Sequence, residues 1–415
     1  MARNAKAKTY SKFTGLNQAS DPNALGDSEF ANCENIDIDN DNLIRRRPGK
    51  TQILSGDFRN LQGFSDCWLY TEAGVLKRLT KDGSVYSSNT LRSDLSSHSN
   101  VAYYELLDNI YYNDGQIKGM VQNGVDSDWG VQTPSAQPAL SAASGNMIAG
   151  VYQVTMTYVK NGLEGGAMAA QYITLNDNSA IQVTVQAGDA DAIRVYVSPP
   201  NGEVLYFYVQ VTNANDTITI YQTLDTIPLA TQFKSEPPLG EHLGYTDGCM
   251  YVAVGSTVYR SDSFSVHLFE LDKNYFPFPA GINMMVPVDG GMFVGSDKIY
   301  FIPSGETPTL QTLIGDKVIN RAYQKIDGSE VGKGEKESWV IFHGEKGIYI
   351  GGPNGQLENL TKDKFSVGGV DSGSIALRHS KGMTHAVGVH RPSQGGNMHV
   401  SDVITATIRK KGVSI

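Results

Sequence analysis

The sequence repeats a unit in which two short apolar strands are joined by a tight polar turn. The strands are rich in aromatic and β-branched residues, and the turns hold Gly, Asn, Asp and Ser, which tolerate tight backbone angles. Copies begin at Trp68, Ile110, Met250, Met292 and Ile348, and a weaker one at Ala386. Because an isolated hairpin is marginally stable in water, we expect these copies to stack on one another.

The spacing of the copies predicts the kind of sheet that they build. Trp68 to Ile110 and Met250 to Met292 are each steps of 42 residues. A period of about 40–50 residues with several short strands per unit is typical of a β-propeller blade. The step from Met292 to Ile348 is 56 residues, and its excess coincides with KIDGSEVGKGEKE at 325–337, predicted as an extended loop. We therefore predict an all-β fold with a β-propeller-like body.

A long interval interrupts this period. Ile110 to Met250 is 140 residues, and strands within it alternate polar and apolar residues at 152–158, 181–185, 193–197, 206–211 and 217–220. Such alternation suits a two-sheet sandwich, and about 100 residues is the usual size of an immunoglobulin or fibronectin-type domain. We predict an inserted immunoglobulin/fibronectin-like β-sandwich; two unrelated domains flanking a linker remain the alternative.

Three predicted domains follow from this reading. Residues 1–133 form an N-terminal arm and the first blades, 134–234 the inserted sandwich, and 235–415 the remaining blades with a C-terminal closing strand. In one closure scheme, strand 43–54 pairs with strand 403–408, which removes open sheet edges.

Composition excludes several classes of protein. Hydrophobic residues make up 40% of the chain and charged residues 19%, as in globular proteins, and no apolar run is long enough to cross a membrane. The basic N-terminus lacks the apolar segment of a secretory signal, and 3 cysteines without metal or disulfide spacing favour folding in a reducing cytoplasm. The net charge of -9 argues against a general nucleic-acid binder.

Residues 13–50 hold the most specific motifs. They include GLN at 15–17, a DP turn at 21–22, ENIDID at 34–39 and LIRRRPG at 43–49. GVYQVTMTY at 150–158, LGYTDGCMYVAVG at 243–255 and LFELDKNYFPF at 268–278 follow. In content and order, over about residues 13–390, the chain resembles the tail nozzle, or distal tail tube (tail tubular) protein, of short-tailed bacteriophages.

The resemblance implies a structural function without enzymatic activity or cofactor. It implies a homo-oligomeric ring, expected to be a hexamer, in the virion tail, assembled in the host cytoplasm beside tail adaptor and tail fibre proteins. Genome DNA would pass through the channel without specific binding, and the acidic net charge agrees with a wall to which DNA does not adhere. A receptor- or carbohydrate-binding tail module and a propeller-scaffold hydrolase remain alternatives.

Two stretches are candidate subunit interfaces. Arg45, Arg46 and Arg47 follow a strand start, where basic residues discourage edge pairing or bind carboxylates of a neighbouring subunit; solvation, local pairing and DNA contact stay open. Tyr275, Phe276 and Phe278 form a proline-punctuated aromatic link that must be buried against its own fold or a neighbour. Trp129, in an acidic loop, is a candidate for a partner or sugar contact, with core packing as its alternative.

No motif indicates catalysis or a metal site. The run 37–41 begins like a calcium loop, but Asn42 and Pro48 stand where Gly and Glu are needed, so an acidic turn is predicted. The histidines at 379, 385, 390 and 399 lack zinc-ligand spacing and are predicted to be structural or surface residues. Nucleophile-elbow, phosphate-loop and dinucleotide motifs are absent from the sequence.

Overall fold

The structure is a computed structural model of the 415-residue chain. It describes residues 12–17, 20–31, 36–38, 43–46, 52–97, 100–305, 310–333, 336–361, 370–380 and 383–392, and the backbone of 403–409 and 412–414. Strands dominate these residues, and their only helical segments are the short 3-10 helices Pro22–Ala24, Gly328–Val331 and Pro353–Gly355. The fold class is therefore all-β, as predicted.

The chain forms two compact units. The first holds Met1–Gly56, Gly255–Thr257 and Pro277–Ile415, and the second holds Asp57–Val254 and Val258–Phe276. The first unit begins with two small strand pairs. β1 (Gly15–Leu16) runs parallel to β2 (Glu29–Phe30), and β3 (Ile36–Ile38) pairs antiparallel with β4 (Ile44–Arg46).

The second unit opens with two antiparallel meander sheets of four strands each. The first consists of β5 (Arg59–Gly63), β6 (Trp68–Glu72), β7 (Val75–Asp82) and β8 (Val85–Arg92), and the second of β9 (Ala102–Leu106), β10 (Asn109–Asn113), β11 (Lys118–Gln122) and β12 (Val125–Ser127). One apolar core joins them, with Leu69 and Leu76 from the first sheet and Ile110 and Val121 from the second. The sheets therefore pack face to face, as neighbouring blades do.

Two further sheets follow between β12 and the next meander. The strands are β13 (Ala139–Met147), β14 (Gly150–Lys160), β15 (Leu163–Glu164), β16 (Gln171–Leu175), β17 (Ser179–Val185), β18 (Ala192–Val197), β19 (Tyr206–Thr212) and β20 (Asp216–Ile220). One sheet has the order β13-β17-β20, and the other has the order β15-β14-β18-β19 with β16 also on β14. Val154, Val183 and Val195 belong to the core that the two sheets share. The immunoglobulin/fibronectin-like assignment and the domain limits at 134 and 234 remain predictions.

The third meander of the second unit consists of β21 (His242–Thr246), β22 (Cys249–Val254), β23 (Thr257–Asp262) and β24 (Ser265–Phe269), and β25 (Tyr275–Pro277) lies beside β23. Its core is shared with the β9–β12 sheet through Ala102, Tyr111, Met250 and Val252. The sheets before and after the β13–β20 segment are therefore each complete without it.

The rest of the first unit continues the same pattern. One sheet contains β26 (Met284–Val288), β27 (Gly291–Gly295), β28 (Ile299–Pro303) and β29 (Gln311–Ile314), and a larger one contains β30 (Val318–Asp327), β31 (Ser338–Gly344), β32 (Gly347–Gly351), β33 (Leu357–Asn359), β34 (Val370–Ser380), β35 (Met383–Pro392), β36 (Val403–Arg409) and β37 (Gly412–Ser414). Phe293, Phe301, Val340 and Phe342 lie in the core between the two sheets. Within each unit the strand order is thus propeller-like, with successive antiparallel sheets that share apolar cores.

The predicted hairpins are present, but two local predictions need correction. The units at Trp68, Ile110, Met250, Met292 and Ile348 are the β6–β7, β10–β11, β22–β23, β27–β28 and β32–β33 pairs. The predicted loop at 325–337 starts only at residue 328, because 325–327 continue β30 and pair with 338–340. The closure scheme that pairs 43–54 with 403–408 is not found among the described residues, where β4 pairs with β3, and β36 pairs with β35 and β37; residues 47–51 lie outside them. Antiparallel pairing with a neighbour in the chain explains both arrangements.

Candidate functional site

The joint between the β13–β20 segment and the meander sheets of the second unit is the most elaborate polar site in the described residues. The outgoing connection follows β12 and contains Trp129. Its indole is buried (2% exposed), packs on the Tyr111 ring at a centroid distance of 5.2 Å, and donates from Nε1 to the Val266 carbonyl over 3.1 Å. Trp129 therefore anchors the outgoing connection to the meanders on both sides of the insertion.

The returning connection is held by a second set of contacts. The Lys118 ammonium on β11 donates to the Pro237 carbonyl over 2.7 Å and pairs with Glu236 at 2.8 Å. The Asn113 amide donates to the Pro238 carbonyl over 3.0 Å, and its oxygen accepts from the Gly240 N–H over 3.0 Å. These bonds fix the chain just before β21 begins.

A chain of ion pairs links the inserted segment to the same place. The Lys160 ammonium, at the end of β14, contacts carboxylates of Asp128 and Asp189, each at 2.7 Å. Burial works to lower the pKa of Lys160, but the hydrogen bonds with the two carboxylates outweigh it and raise that pKa. Because Asp128 and Asp189 are largely exposed, these pairs orient the segment more than they stabilise it.

The ion-pair chain continues into the β5–β12 sheets. Arg92 on β8 lies 3.9 Å from Asp128 and 3.4 Å from Asp126, and the Tyr112 hydroxyl donates to Asp126 over 2.6 Å. Burial raises the pKa of Tyr112, and the bond to Asp126 raises it further. The tyrosine therefore stays a proton donor to Asp126, and burial also raises the pKa of that carboxyl.

A cavity of about 280 Å³ opens between these contacts. Five charged side chains and the indole line it, namely Lys118, Asp128, Lys160, Asp189, Glu236 and Trp129. Each lysine already contacts a carboxylate of the same lining, so the charges satisfy one another. Within the described ranges no three His, Cys, Asp or Glu side chains form a group that could hold a metal ion.

A second polar feature lies in the core of the first unit. Nδ1 of His343 on β31 and Nε2 of His390 on β35 are 2.7 Å apart, and both rings are buried. Burial, and then the neighbouring His390, lower the pKa of His343 to about 3, and burial also lowers the pKa of His390. One ring therefore donates to the other while both are neutral.

The interface candidates from the sequence lie in different places. Arg45 and Arg46 are exposed on β4, whereas Arg47 lies outside the described residues. Trp129 is in the core, which was the alternative to a surface contact, although its indole also lines the cavity. The structure does not bring these residues together within a unit.

The aromatic link divides between exposed and buried residues. Tyr275 is 46% exposed, and Phe276 is half-buried with its ring stacked on Tyr251 at 6.5 Å. In the first unit, Phe278 is buried against the Tyr300 ring at 5.2 Å. Phe278 is thus buried against its own fold, which was the alternative to a subunit contact, whereas part of the Tyr275 side chain is exposed.

The residues considered for metal binding are dispersed. His385 and His390 are buried and His379 is largely exposed, while His399 and residues 39–42 of the acidic turn lie outside the described part of the chain. The Asp37 carboxylate accepts from Arg378 over 2.6 Å. Sequence reasoning missed Lys118, Lys160 and Glu236, because isolated lysines and glutamates carry no motif and their partners are distant in the chain.

Comparison with known proteins leaves the family open. No family model and no curated protein matches the sequence. Among solved structures, the chain is similar to BBS1N in complex with ARL6DN (10% identity, TM-score 0.33, 85% of this chain and 90% of that one). It is also similar to a functionally unknown protein from Desulfotomaculum acetoxidans, with 11% identity and a TM-score of 0.34 over 79% of this chain and 91% of that one. A protein from Lactobacillus plantarum is similar with 13% identity and a TM-score of 0.32 over 72% of this chain and 82% of that one. At these identities and scores, none of them informs on activity or partner.

Membrane insertion by a helix finds no support in the described ranges, where every helix is too short and too polar to span a bilayer.

Proposed function

We propose that this protein is a structural component of a phage tail, a nozzle ring that conducts genome DNA and gates its release. The observation that carries the proposal is the order of sequence motifs from GLN at 15–17 to LFELDKNYFPF at 268–278, which resembles tail nozzle proteins. An all-β body with meander sheets before and after an inserted segment supports that reading.

The polar features support a structural function rather than catalysis. At the joint, Lys118 and Lys160 are paired with carboxylates, and the buried Tyr112 donates to Asp126. A general base needs access to a substrate, whereas the Asp126 carboxylate is largely buried and is already held by Tyr112 and Arg92. The joint has instead the features of a rigid attachment, which suits a domain that projects from an assembled ring.

Charge supports conduction of DNA without specific binding. The chain has a formal net charge of -9, and a DNA-binding surface would need clustered lysines and arginines to replace counterions. A channel lined by an acidic protein repels the phosphates, so DNA can move through it. Tail adaptor and tail fibre proteins would be the neighbours of such a ring in the virion.

A receptor- or carbohydrate-binding tail module remains the second candidate. Sugar sites present an accessible aromatic face, whereas Trp129 is 2% exposed. The exposed ring of Tyr275 is the one observation that favours this second candidate, because a sugar could stack on it.

Electron microscopy tests the proposal. The purified full-length chain should form closed rings with a central channel, and labelled antibody should bind on the tail axis of virions that carry the protein. Antibody bound only at fibre tips, or a monomer that binds glycans in an array, would contradict the nozzle function. Six-fold rings would support the expected hexamer, and another number would change only that detail.

A further inference from the structure

The meander sheets of the second unit place several of their hairpin turns at one end. Near the end of β9, the Tyr104 hydroxyl donates to the Tyr245 carbonyl near the end of β21 over 3.2 Å. Near the start of β21, the Gly240 N–H donates to Asn113, which ends β10, over 3.0 Å. Because β10 runs antiparallel to β9, the strands β9 and β21 run side by side in the same direction.

The β5–β8 sheet is aligned with the β9–β12 sheet, so that the end of β5 lies beside the end of β9. The Ser65 N–H in the β5–β6 turn donates to Glu105, near the end of β9, over 3.3 Å. The strands of a meander alternate in direction. The end of the sheets at which β9 and β21 finish therefore also holds the turns β7–β8, β9–β10, β11–β12, β21–β22 and β23–β24. We name it the turn face and define it by the residues at the tips, which are Asp82, Val85, Leu107, Asp108, Val125, Asp247 and Phe264.

Large apolar side chains are exposed at the turn face. Leu107 and Phe264 are each 85% exposed, Val125 67% and Val85 62%. At the opposite end, the β6–β7 and β10–β11 turns carry no large exposed apolar side chain among the described residues. Turns in water are normally polar, and apolar side chains gathered at one end of a domain mark an interaction site.

The backbone at two of these tips makes the choice of residue more unusual. Leu107 has φ 49° and Asp108 φ 63°, and Phe264 has φ 58°. Such left-handed conformations favour Gly, Asn or Asp, and they are unfavourable for a bulky side chain. The Phe264 N–H donates to the Gly248 carbonyl over 2.7 Å, and the edge of the Phe264 ring lies beside Gly248 while most of the ring stays exposed. Bulky apolar residues at these strained, exposed positions point to a contact outside the chain.

The charge at the turn face is mainly negative. Asp82, Asp108 and Asp247 are exposed beside the apolar tips. Lys81 is also there, with its ammonium 5.6 Å from the centre of the Tyr86 ring. The surface therefore suits a partner that presents apolar side chains next to lysine or arginine.

The chain itself carries a surface of that kind. On and beside β4, Leu43 is 43% exposed and Ile44 38% exposed, and Arg45 and Arg46 are exposed next to them. We propose that the turn face binds the β3–β4 hairpin of a second copy of this protein. Leu43 and Ile44 would pack on the apolar tips, and the two arginines would pair with the aspartates.

The contact joins two different surfaces, so it links copies head to tail. Repeated contacts of this type generate a closed ring when the rotation closes, and an open filament when it does not. The inference deepens the proposed function and rests on it for the existence of a ring. Duplex DNA is a poor occupant of the turn face, because the aspartates repel phosphates.

Replacement by asparagine tests the apolar part of the contact. Leu107→Asn with Phe264→Asn removes both side chains and suits the left-handed backbone, so the unfolding midpoint should stay unchanged or rise. We expect self-association of the full-length protein, measured by sedimentation velocity over a concentration series, to weaken by about a hundredfold. Ile148→Asn, at a position 60% exposed in the β13–β14 turn, is the matched control and should associate like the wild type.

Charge reversal tests whether the β3–β4 hairpin is the segment that binds the turn face. Arg45→Glu with Arg46→Glu should weaken self-association, and so should Asp82→Arg, Asp108→Arg and Asp247→Arg combined. A protein carrying both sets of changes should associate again, because the pairs are restored with opposite signs.

Three results would each overturn the inference. They are association of the asparagine variant at wild-type strength, failure of the combined charge variant to recover, and a wild-type protein that stays monomeric at every concentration. If virions assembled with the asparagine variant still carry a nozzle ring on the tail axis, this contact is refuted and the proposed function stands.

Discussion

Acidification should destabilise the first unit through the buried histidine pair. His343 is 1% exposed and His390 5%, and neither His343 Nε2 nor His390 Nδ1 has a hydrogen-bond partner in the described part of the chain. The short contact between Nδ1 of His343 and Nε2 of His390 needs one donor and one acceptor. Protonation of both rings would remove the acceptor and place two buried cations in contact.

The direction of the pH dependence follows from the lowered pKa values. Burial and the neighbouring ring lower the pKa of His343 to about 3, whereas an unfolded histidine titrates at about 6.5. The unfolded chain therefore binds the proton more readily, and the stabilisation is complete above about pH 6.5 and lost as the pH falls towards 3. Between about pH 7 and pH 5, His343 alone should lower the free energy of unfolding by about 2 kcal/mol. His390 acts in the same direction.

The assay compares the slopes of stability against pH. Urea unfolding of the wild type and of His343→Asn with His390→Asn would be followed by hydrogen exchange of β31 and β35 peptides, because two compact units need not unfold in one step. The variant should be less stable at neutral pH but lose less stability on acidification. All other titrating groups are common to both proteins. Equal slopes over this range would refute the reasoning.

Two other predictions concern packing in the second unit. Gly119→Ala should destabilise the second unit by about 1–3 kcal/mol, because a Cβ there would lie 2.4 Å from Cζ of the buried Tyr112 ring. Gly315→Ala in the first unit, with no atom within 4 Å of its Cβ, is the control and should keep that unit at wild-type stability. A second unit that is as stable in Gly119→Ala as in the wild type would refute the steric argument. Trp129→Phe should cost about 1–3 kcal/mol, because the partly buried Val266 carbonyl loses its donor. A urea midpoint equal to that of the wild type would show that the indole does not anchor the connection.

The parts of the fold that sequence reasoning predicts well are those that short segments determine. The hairpins at Trp68 and Ile110 combine aromatic strands with turns that permit left-handed residues, and β6–β7 and β10–β11 form there. The period of 42 residues then predicts repeated sheets. Each of these signals lies within about ten residues of its hydrogen-bond partner, so tertiary context had little room to override it.

Elements that depend on distant partners were missed. β13 (Ala139–Met147) reads ALSAASGNM, a run of small residues with weak strand preference, and it is ordered by pairing with β17, some 40 residues later. Trp129 looked like a loop residue because its acceptor, Val266, lies 137 positions away. The cavity lining is equally non-local, since Lys118 meets Glu236 and Lys160 meets Asp189 only after folding.

The placement of the insertion explains why so many polar contacts gather at one joint. The β9–β12 and β21–β24 meanders are each complete, so the β13–β20 segment interrupts neither sheet, and a single bridge between Ser235 and Phe269 joins the returning connection to β24. The segment's orientation must then come from its connections, which Trp129 anchors on one side and Lys118 on the other. A segment held by exposed ion pairs alone would be poorly oriented, because such pairs contribute little in water. The buried indole supplies the rigid part of the attachment, and Lys118 adds its bond to the Pro237 carbonyl on the returning connection.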